Sequence, residues 1–298
     1  MSRTTWHRAP GWRGGRLLAA VAASLALACG AANAREGEKC PSGQADCGSG
    51  CVSLATSANC GGCGVACPTG STCSSGACQG APLGVGAHAF KNDVAGLGTN
   101  PMTTASLATR TTGSTFVVFA GAGIAGGTAF QSLSDSMGNT YRAIGVPQPY
   151  AGGQGELRAF VCSQPCRGGP GHTWSLNKPD ALSNWETVLF VVEILGTASL
   201  DAFAQADATS SPLAPGAVVT SRAGDLLLVC ALAASYGTPD VYTPSAGFAL
   251  LDDQTNGTNS LGGADAWSLA GPPGTYTGSL ASSLATSGAI FLVAFAPP

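Results

Sequence analysis

Two histidines and a handful of carboxylates are the side chains with which this 298-residue chain could catalyse a reaction downstream of residue 34. The histidines are His88 and His172. A nucleophilic triad needs such a base and an orienting acid beside its Ser or Cys, but the sequence has neither a Gly-x-Ser-x-Gly elbow nor a His-Glu-x-x-His zinc motif. His172 follows Gly-Gly-Pro-Gly and could serve a site, although we favour a surface histidine at the start of a strand.

Paired carboxylates are the second possible source of chemistry, since two of them at a suitable distance hydrolyse glycosides. The candidates are Glu156, Glu186, Glu193, Asp252, Asp253 and Asp265. Glu186 and Glu193 are seven residues apart on one predicted strand, so they point to opposite faces and cannot act on one substrate. We predict that Glu193, inside an apolar strand, is a hydrogen-bonded structural acid.

Bound ions and cofactors are the third possibility. Asp252 and Asp253 with Asn256 offer the hard oxygen ligands that suit Ca²⁺, but we interpret these acids as solvated loop residues. Gly121-Ala-Gly123-Ile-Ala-Gly126 fits Gly-x-Gly-x-x-Gly, yet a hairpin turn follows it instead of the helix that a dinucleotide site requires. We interpret it as a flexible loop, and we predict no catalytic residue, no metal and no cofactor.

Aromatic side chains are the best candidates for ligand contacts, because their faces can stack on sugar rings. We single out Trp174, Trp267, Tyr236 and Tyr242. Tyr236 and Tyr242 flank a Gly-Thr-Pro-Asp loop. The alternative for each of these residues is core packing, which accounts for most tryptophans of β-sandwiches.

Eight of the twelve cysteines lie between residues 40 and 78, and their spacing predicts a disulfide framework. They are Cys40, Cys47, Cys51, Cys60, Cys63, Cys67, Cys73 and Cys78. So short a segment cannot bury enough apolar surface to fold without cross-links. Zinc on Cys60, Cys63 and Cys67 is the alternative, which an oxidising compartment disfavours. The sequence does not choose among the possible disulfide connectivities.

The same stretch resembles the stigma-specific-protein type of cysteine-rich module. The matching strings are Asn59-Cys60-Gly-Gly-Cys63-Gly64, Cys67-Pro-Thr-Gly70-Ser-Thr-Cys73 and Gly76-Ala-Cys78. The resemblance covers about an eighth of the chain and implies a small extracellular module without catalytic residues. Ser53 stands where an acidic residue is common in that family, which weakens any inherited cation binding.

The remaining cysteines have separate explanations. Cys162 and Cys166 are close enough to bridge a loop to itself. Cys230, within Leu226-Leu-Leu-Val-Cys-Ala-Leu, is predicted to be a buried free thiol. Cys29 follows Leu-Ala-Leu-Ala and loosely resembles the lipidation site of bacterial lipoproteins, so a lipid anchor at Cys29 is an alternative to free secretion.

The N-terminus has the pattern of an export signal. A basic segment with Arg3, Arg8, Arg13 and Arg16 precedes the small apolar run 17–28, and Ala32-Asn33-Ala34 fits the signal-peptidase site. The run is too short for a membrane-spanning helix, which needs about 20 residues. Cleavage after Ala34 leaves a formal net charge of −7. Such a product has no clustered basic residues to neutralise phosphates, so we expect no nucleic-acid partner.

The large domain from about residue 85 onward shows short apolar runs separated by Gly, Pro, Asn and Ser, without helical patterns between them. This pattern predicts an all-β fold of the β-sandwich or jelly-roll type. The continuously apolar runs Phe116–Phe119, Val188–Val192, Leu226–Val229 and Ile290–Val293 are predicted to be central strands buried on both faces.

The large domain is also similar to a widespread bacterial extracellular β-sandwich module. The features that carry the resemblance are Asp135-Ser-Met-Gly-Asn-Thr-Tyr141, a strand containing Glu193, the segment 216–228 and the apolar C-terminal strand. The resemblance implies a fold more than a function.

Together these patterns predict a signal peptide (1–34), a disulfide-rich module (35–80), a linker (81–84) and a β-sandwich (85–298). We expect a secreted or surface-bound, non-catalytic binding or adhesion protein with a polysaccharide or protein partner. A secreted polysaccharide hydrolase and a structural matrix component are the alternatives. We also expect reduction to melt the module while sparing the sandwich.

Overall fold

The computed structural model describes residues 40–67, 71–80, 82–93, 98–123, 130, 132–150, 153, 155–179, 186–234, 240–254, 261–284 and 287–298, with the backbone alone at 77–79 and 234. In this part of the chain the secondary structure is entirely β, as predicted. No helix there is long and apolar enough to cross a membrane. The predicted export signal and Cys29 lie outside the described residues.

Three short hairpins form the N-terminal module. The strands are β1 (Gln44–Asp46), β2 (Cys51–Ser53), β3 (Ala55–Thr56), β4 (Asn59–Cys60), β5 (Thr72–Ser74) and β6 (Ala77–Gln79). Each strand pairs with its neighbour in the chain. Of the module's described side chains, Cys60 is the one hydrophobic group that is buried. The hairpins therefore depend on cross-links for stability.

The disulfides confirm the framework predicted for this module. Three bridges are Cys40–Cys51, Cys47–Cys63 and Cys60–Cys73. Cys67 is also disulfide-bonded, whereas the side chain of Cys78 lies outside the described atoms. Since Cys60, Cys63 and Cys67 are all oxidised, the zinc alternative for these three residues is wrong.

Nineteen strands build the large domain. In chain order they are β7 (Gly84–Asp93), β8 (Met102–Thr103), β9 (Leu107–Ala108), β10 (Ser114–Ala122), β11 (Ser132–Asp135), β12 (Tyr141–Tyr150), β13 (Gly155–Cys162), β14 (Pro170–His172), β15 (Trp174–Asn177), β16 (Thr187–Leu195), β17 (Ser199–Ala208), β18 (Ala217–Thr220), β19 (Leu226–Ala234), β20 (Tyr242–Pro244), β21 (Ala249–Asp253), β22 (Leu261–Leu269), β23 (Gly274–Thr277), β24 (Leu280–Ser282) and β25 (Gly288–Ala296). The longer strands form two five-stranded antiparallel sheets, ordered β12-β13-β10-β16-β7 and β17-β25-β19-β22-β21.

The two large sheets pack face to face around one apolar core, which makes the domain a β-sandwich. Val117, Phe119 and Phe190 of the first sheet meet Leu228 and Phe291 of the second in this core. The rings of Phe119 and Phe291 lie 6.4 Å apart between centroids. Strands of both sheets contribute alternate residues, as the period of two along a strand requires.

Small sheets cover the outer face of each large sheet. Met102, Trp174 and Leu176 pack on the outer side of the first sheet, and Leu213 and Leu280 pack on the outer side of the second. The four runs predicted to be central strands are therefore buried on both faces, which confirms that prediction.

The second sheet repeats the topology of the first. If the strands of each large sheet are numbered one to five along the chain, both sheets have the order 3-4-2-5-1. The small sheets correspond as well, because β9 pairs with β14 as β18 pairs with β23. Gly113 and Gly224 occupy matching turns with φ of 76° and 78°. The sandwich thus consists of two halves of the same design.

Gly121, the first residue of the glycine-rich segment 121–126, lies where the two large sheets pack closely. The sequence predicts a flexible loop there, but Gly121 belongs to the buried strand β10, and Gly123 directly follows that strand. A Cβ at Gly121 would overlap the side chain of Leu232 from the facing sheet and lie 2.9 Å from Val188 Cγ2. The prediction of a loop is therefore wrong for Gly121, because this glycine allows the two sheets to approach. Gly126 lies outside the described residues.

Gly121→Ala should consequently destabilise the sandwich by about 1–3 kcal/mol, because the added methyl group overpacks the core. Gly123→Ala is the matched control, since its Cβ would meet nothing closer than Glu186 Oε2 at 3.6 Å. We expect the control to stay within about 0.5 kcal/mol of the parent in urea unfolding. Equal stability of the two variants would contradict this account of Gly121.

Candidate functional site

A polar cluster around Asp135 contains the histidine that the sequence analysis considered for catalysis. His172, at the end of β14, places Nε2 3.0 Å from Asp135 Oδ2 and Nδ1 3.1 Å from Thr109 Oγ1. Tyr141 donates its hydroxyl to the same Asp135 oxygen at 2.7 Å, and Trp174 Nε1 donates to the Tyr141 hydroxyl at 2.6 Å. His172 is fully buried, so the prediction of a surface histidine is wrong.

The electrostatics of this cluster favour the ionised form of Asp135. Burial opposes its ionisation, but hydrogen bonds from His172, Tyr141 and Asn139 outweigh that effect and hold the pKa of Asp135 well below its ordinary value. Burial, together with the charge of Asp135, raises the pKa of Tyr141. The side chains of Asp135, His172 and Trp174 are fully buried, and Tyr141 and Asn139 are partly buried. Their hydrogen bonds hold β11, β12, β14 and β15 together, and the Asp135–His172 pair offers a substrate no access.

The four aromatic residues proposed as ligand contacts do not form one surface. Trp174 is fully buried and stacks on His172 at 3.8 Å, while Tyr242 is buried in the outer layer of the second sheet. The prediction of an accessible ring is corrected for both, because packing occupies their faces. Trp267 is half-buried against the central core, and Tyr236 lies outside the described residues.

Glu193 is the structural acid that the sequence predicts. Its carboxylate accepts hydrogen bonds from Ala87 N at 3.0 Å, Arg110 N at 2.9 Å and Ser114 Oγ at 2.6 Å. These bonds fasten the turn before β10 to two strands of the first sheet. Glu156 is likewise engaged, with Arg158 Nη2 2.6 Å away.

A second group of acids lies where β7 and β21, which are edge strands of the two large sheets, contact each other. Asp252 and Asp253 belong to β21, so the prediction that they are solvated loop residues is wrong. His88 Nδ1 lies 2.8 Å from Asp252 Oδ2, and Asp252 N donates to the buried Asp265 at 3.0 Å. In the described part of the chain no group of three or more His, Cys, Asp or Glu is arranged to hold a metal ion. Asn256 lies outside that part.

Cys230 is the neighbour of Asp265 in the core. It is a free and fully buried cysteine, as predicted. It faces Asp265 across the β19–β22 pair. Burial, with Asp265 as a second cause, raises the pKa of the Cys230 thiol well above its ordinary value. A protonated thiol is a poor nucleophile, so this pair suits packing rather than covalent catalysis. The Cys162–Cys166 bridge is present, as predicted.

A cleft of about 680 Å³ lies between the module and the sandwich. Thr72 of the module, Pro82 of the linker, the turn 221–224 and the C-terminal prolines line it, together with Pro273. Arg222 is exposed and donates Nη1 to Pro297 O at 2.8 Å. Proline rings provide rigid apolar walls, and Arg222 provides a fixed positive charge.

Two aspartates lie directly behind this cleft. Asp201 of β17 accepts hydrogen bonds from Ser221 N at 2.6 Å and from Ser221 Oγ at 2.5 Å. The neighbouring Asp225 is fully buried, and burial followed by the contact with Asp201 raises its pKa to about 7. Burial opposes the ionisation of Asp201, but hydrogen bonds from Ser221 and Asp225 and the charge of Arg222 outweigh it and lower the pKa of Asp201.

No motif in the sequence identifies Arg222, Asp201 and Asp225 as residues of a site. Ser221-Arg-Ala-Gly-Asp225 is visible in the sequence as a turn, but nothing local shows that residues 72, 82 and 297 meet it in space. The sequence signal that could have pointed to the turn 221–225 is its similarity to Arg110-Thr-Thr-Gly-Ser114 in the first half, which has a glycine at the same position.

No family model, curated protein or solved structure matches the chain. The two family resemblances therefore stay predictions.

Proposed function

We propose that this chain is a secreted or surface-bound, non-catalytic binding protein that attaches to a polysaccharide or another envelope component. The cleft between module and sandwich is its binding site. The observation that carries the proposal is the cleft itself, a recess of about 680 Å³ with rigid proline walls and the exposed guanidinium of Arg222. A recess of this size is within the range of small-ligand and sugar sites.

The disulfides support the location. Four bridges are described, three of them in a module that has almost no core. Disulfide frameworks of this density persist in oxidising compartments outside the cytosol. The export signal predicted at the N-terminus agrees with such a location.

The polar clusters elsewhere favour binding over hydrolysis. The side chains of Asp135 and His172 are fully buried and hydrogen-bonded to one another, and the carboxylate of Glu193 accepts hydrogen bonds from three donors. None of these groups is free to take or give a proton at a substrate. Binding therefore suits the geometry better than the alternative of a secreted hydrolase.

A sedimentation experiment tests the proposal. The protein is incubated with insoluble polysaccharides and cell-wall preparations, and both the pelleted protein and the released soluble sugar are measured. We expect pelleting without release, and about a tenfold weaker association for Arg222→Ala, since truncation of a central arginine removes a large share of binding energy. Arg142→Ala, at an exposed arginine of β12, is the matched control and should bind like the parent.

The other outcomes identify the alternatives. Release of soluble sugar would contradict the non-catalytic proposal and favour a hydrolase. Self-assembly into sedimenting particles without any ligand would favour a structural matrix component. Pelleting that Arg222→Ala leaves unchanged would move the binding site away from the cleft.

A further inference from the structure

The turn 221–225 differs from its counterpart in the first half of the sandwich. In the first half, the turn 110–114 is held by Glu193, which accepts hydrogen bonds from Arg110 N at 2.9 Å and Ser114 Oγ at 2.6 Å. The hydroxyl of Ser114 is the donor and the carboxylate of Glu193 is the acceptor. This pairing needs no extra proton.

The second half builds the same turn with different groups. In the first half, Phe116 pairs with Glu193 of β16. The corresponding Leu227 of the second half pairs with Ala294 of β25, so an alanine stands where the first half has its carboxylate. The carboxylate comes instead from Asp201, which accepts the Ser221 N–H at 2.6 Å. Asp225 stands at the position of Ser114. A carboxyl group can donate a hydrogen bond as that hydroxyl does only when it is protonated.

The surroundings of Asp225 favour this protonated form. Its carboxyl group is fully buried, and the charged groups that act on it within the described structure are Asp201 and Arg222. Burial and Asp201 raise the pKa of Asp225 to about 7, and Arg222 acts in the opposite direction. Loss of the proton would place a second negative charge beside Asp201, immediately behind the cleft.

Arg222 determines for which ligands the affinity depends on the charge of Asp225. It is the one cationic side chain among the described residues that line the cleft. Nη1 is used by Pro297 O, and the other N–H groups of the planar guanidinium are free to form the paired hydrogen bonds that match a carboxylate. Ionisation of Asp225 repels an anionic ligand at Arg222, whereas a neutral sugar is insensitive to it.

We propose that the cleft takes a carboxylate-bearing sugar of an acidic polysaccharide on Arg222, and that this ligand binds the form in which Asp225 carries a proton. The inference rests on the proposed function and specifies its ligand. Arg222 is the contact residue, and Asp225 is a positioning residue that controls the charge behind it. The first half has no counterpart, because Glu193 and Ser114 hold the equivalent turn without a titratable donor.

Isothermal titration of the full-length mature protein with soluble polygalacturonate tests the proposal. Fully methyl-esterified polygalacturonate is the matched neutral ligand. The association constant for the acidic polymer should fall about tenfold from pH 6 to pH 8, following the protonated fraction of a group with a pKa of about 7. The esterified polymer should bind more weakly, with no change over this range.

Variants at Asp225 separate the proton linkage from other effects of pH. Asp225→Asn keeps a donor facing Asp201 without a titratable proton, and its affinity at pH 8 should equal its affinity at pH 6. Asp225→Ser reproduces the donor of the first half and serves if the first variant does not fold. Asp207→Asn, at an exposed residue of β17, the strand that carries Asp201, is the control and should retain the tenfold fall.

Two results would overturn the inference while leaving the proposed function intact. Equal affinity for the acidic and esterified polymers, lost for both in Arg222→Ala, would keep the cleft as the binding site but contradict an acidic ligand. A pH dependence that persists in Asp225→Asn and Asp225→Ser would contradict the role of Asp225. Failure to bind any polysaccharide or cell-wall preparation would instead refute the proposed function itself.

Discussion

Replacing Asp135 by alanine should destabilise the sandwich by about 3–5 kcal/mol, the largest effect that we expect from a single substitution. Asp135 is the acceptor shared by His172, Tyr141 and Asn139, all within 3.0 Å. Removal of one partner from a buried, charge-assisted network leaves the others desolvated and unpaired. Urea unfolding followed by tryptophan fluorescence measures the loss, because Trp174 belongs to the same cluster.

The comparison variants distinguish the network from a general effect of removing a charge. Asp207→Ala, at an exposed aspartate, should stay within about 0.5 kcal/mol of the parent. Asp135→Asn keeps an acceptor oxygen and should lose less than the alanine variant. A loss below about 1 kcal/mol for Asp135→Ala would show that the cluster does not hold the outer strands.

The same residue predicts how stability changes in acid. The pKa of Asp135 is lower in the folded protein than its ordinary value of 3.8, which applies to the unfolded chain. Its contribution is therefore fully present above about pH 4 and is lost as the pH falls below that value. The free energy of unfolding of the parent should decrease through this acidic range, and Asp135→Asn should remove this part of the decrease.

Reduction of the disulfides should unfold the N-terminal module and leave the sandwich folded. The three described bridges of the module close loops with separations of 11, 16 and 13 residues, and each contributes about 3 kcal/mol by restricting the unfolded chain. The module has no core to replace them. The sandwich rests on three apolar clusters. Its one described bridge, Cys162–Cys166, closes a loop with a separation of 4 and contributes about 2 kcal/mol.

Hydrogen exchange measured by mass spectrometry, with and without dithiothreitol, follows both regions in one experiment. Peptides from residues 40–67 should lose protection on reduction, while peptides from β10, β16, β19 and β25 should keep it. The double variant Cys162→Ser/Cys166→Ser isolates the sandwich bridge and should remain folded without reductant. Simultaneous loss of protection in both regions would mean that the module and the sandwich do not unfold separately.

The covalent pattern and the hydrophobic pattern of the sequence were enough to predict the fold class. Continuously apolar runs such as Val188–Val192 predicted strands covered on both sides, and small sheets cover them. Cys162 and Cys166 could be paired because they are only four positions apart in the chain. Cys230 could be placed in the core because its neighbours in the chain are apolar. Each of these inferences depends on residues that are close in the sequence.

Only the tertiary structure decided which distant residues meet. Asp135 and His172 are 37 residues apart in the chain, and strand pairing alone brings them into contact. For the same reason the sequence placed His172 at the surface and treated Trp174 as a possible ligand contact. The periodicity of a strand shows how many of its faces are covered, but it does not show what covers them.

The repeat and the cleft depend on the tertiary structure even more strongly. The two halves share a topology, but the carboxylate that holds the matching turn comes from Glu193 in one half and from Asp201 in the other. By itself, the sequence determined an all-β chain with a cross-linked module, because composition, cysteine spacing and hydrophobic runs act locally. Register and sheet packing decided where Arg222, Asp201 and Asp225 come together, because that arrangement exists only after strands distant in the chain have paired.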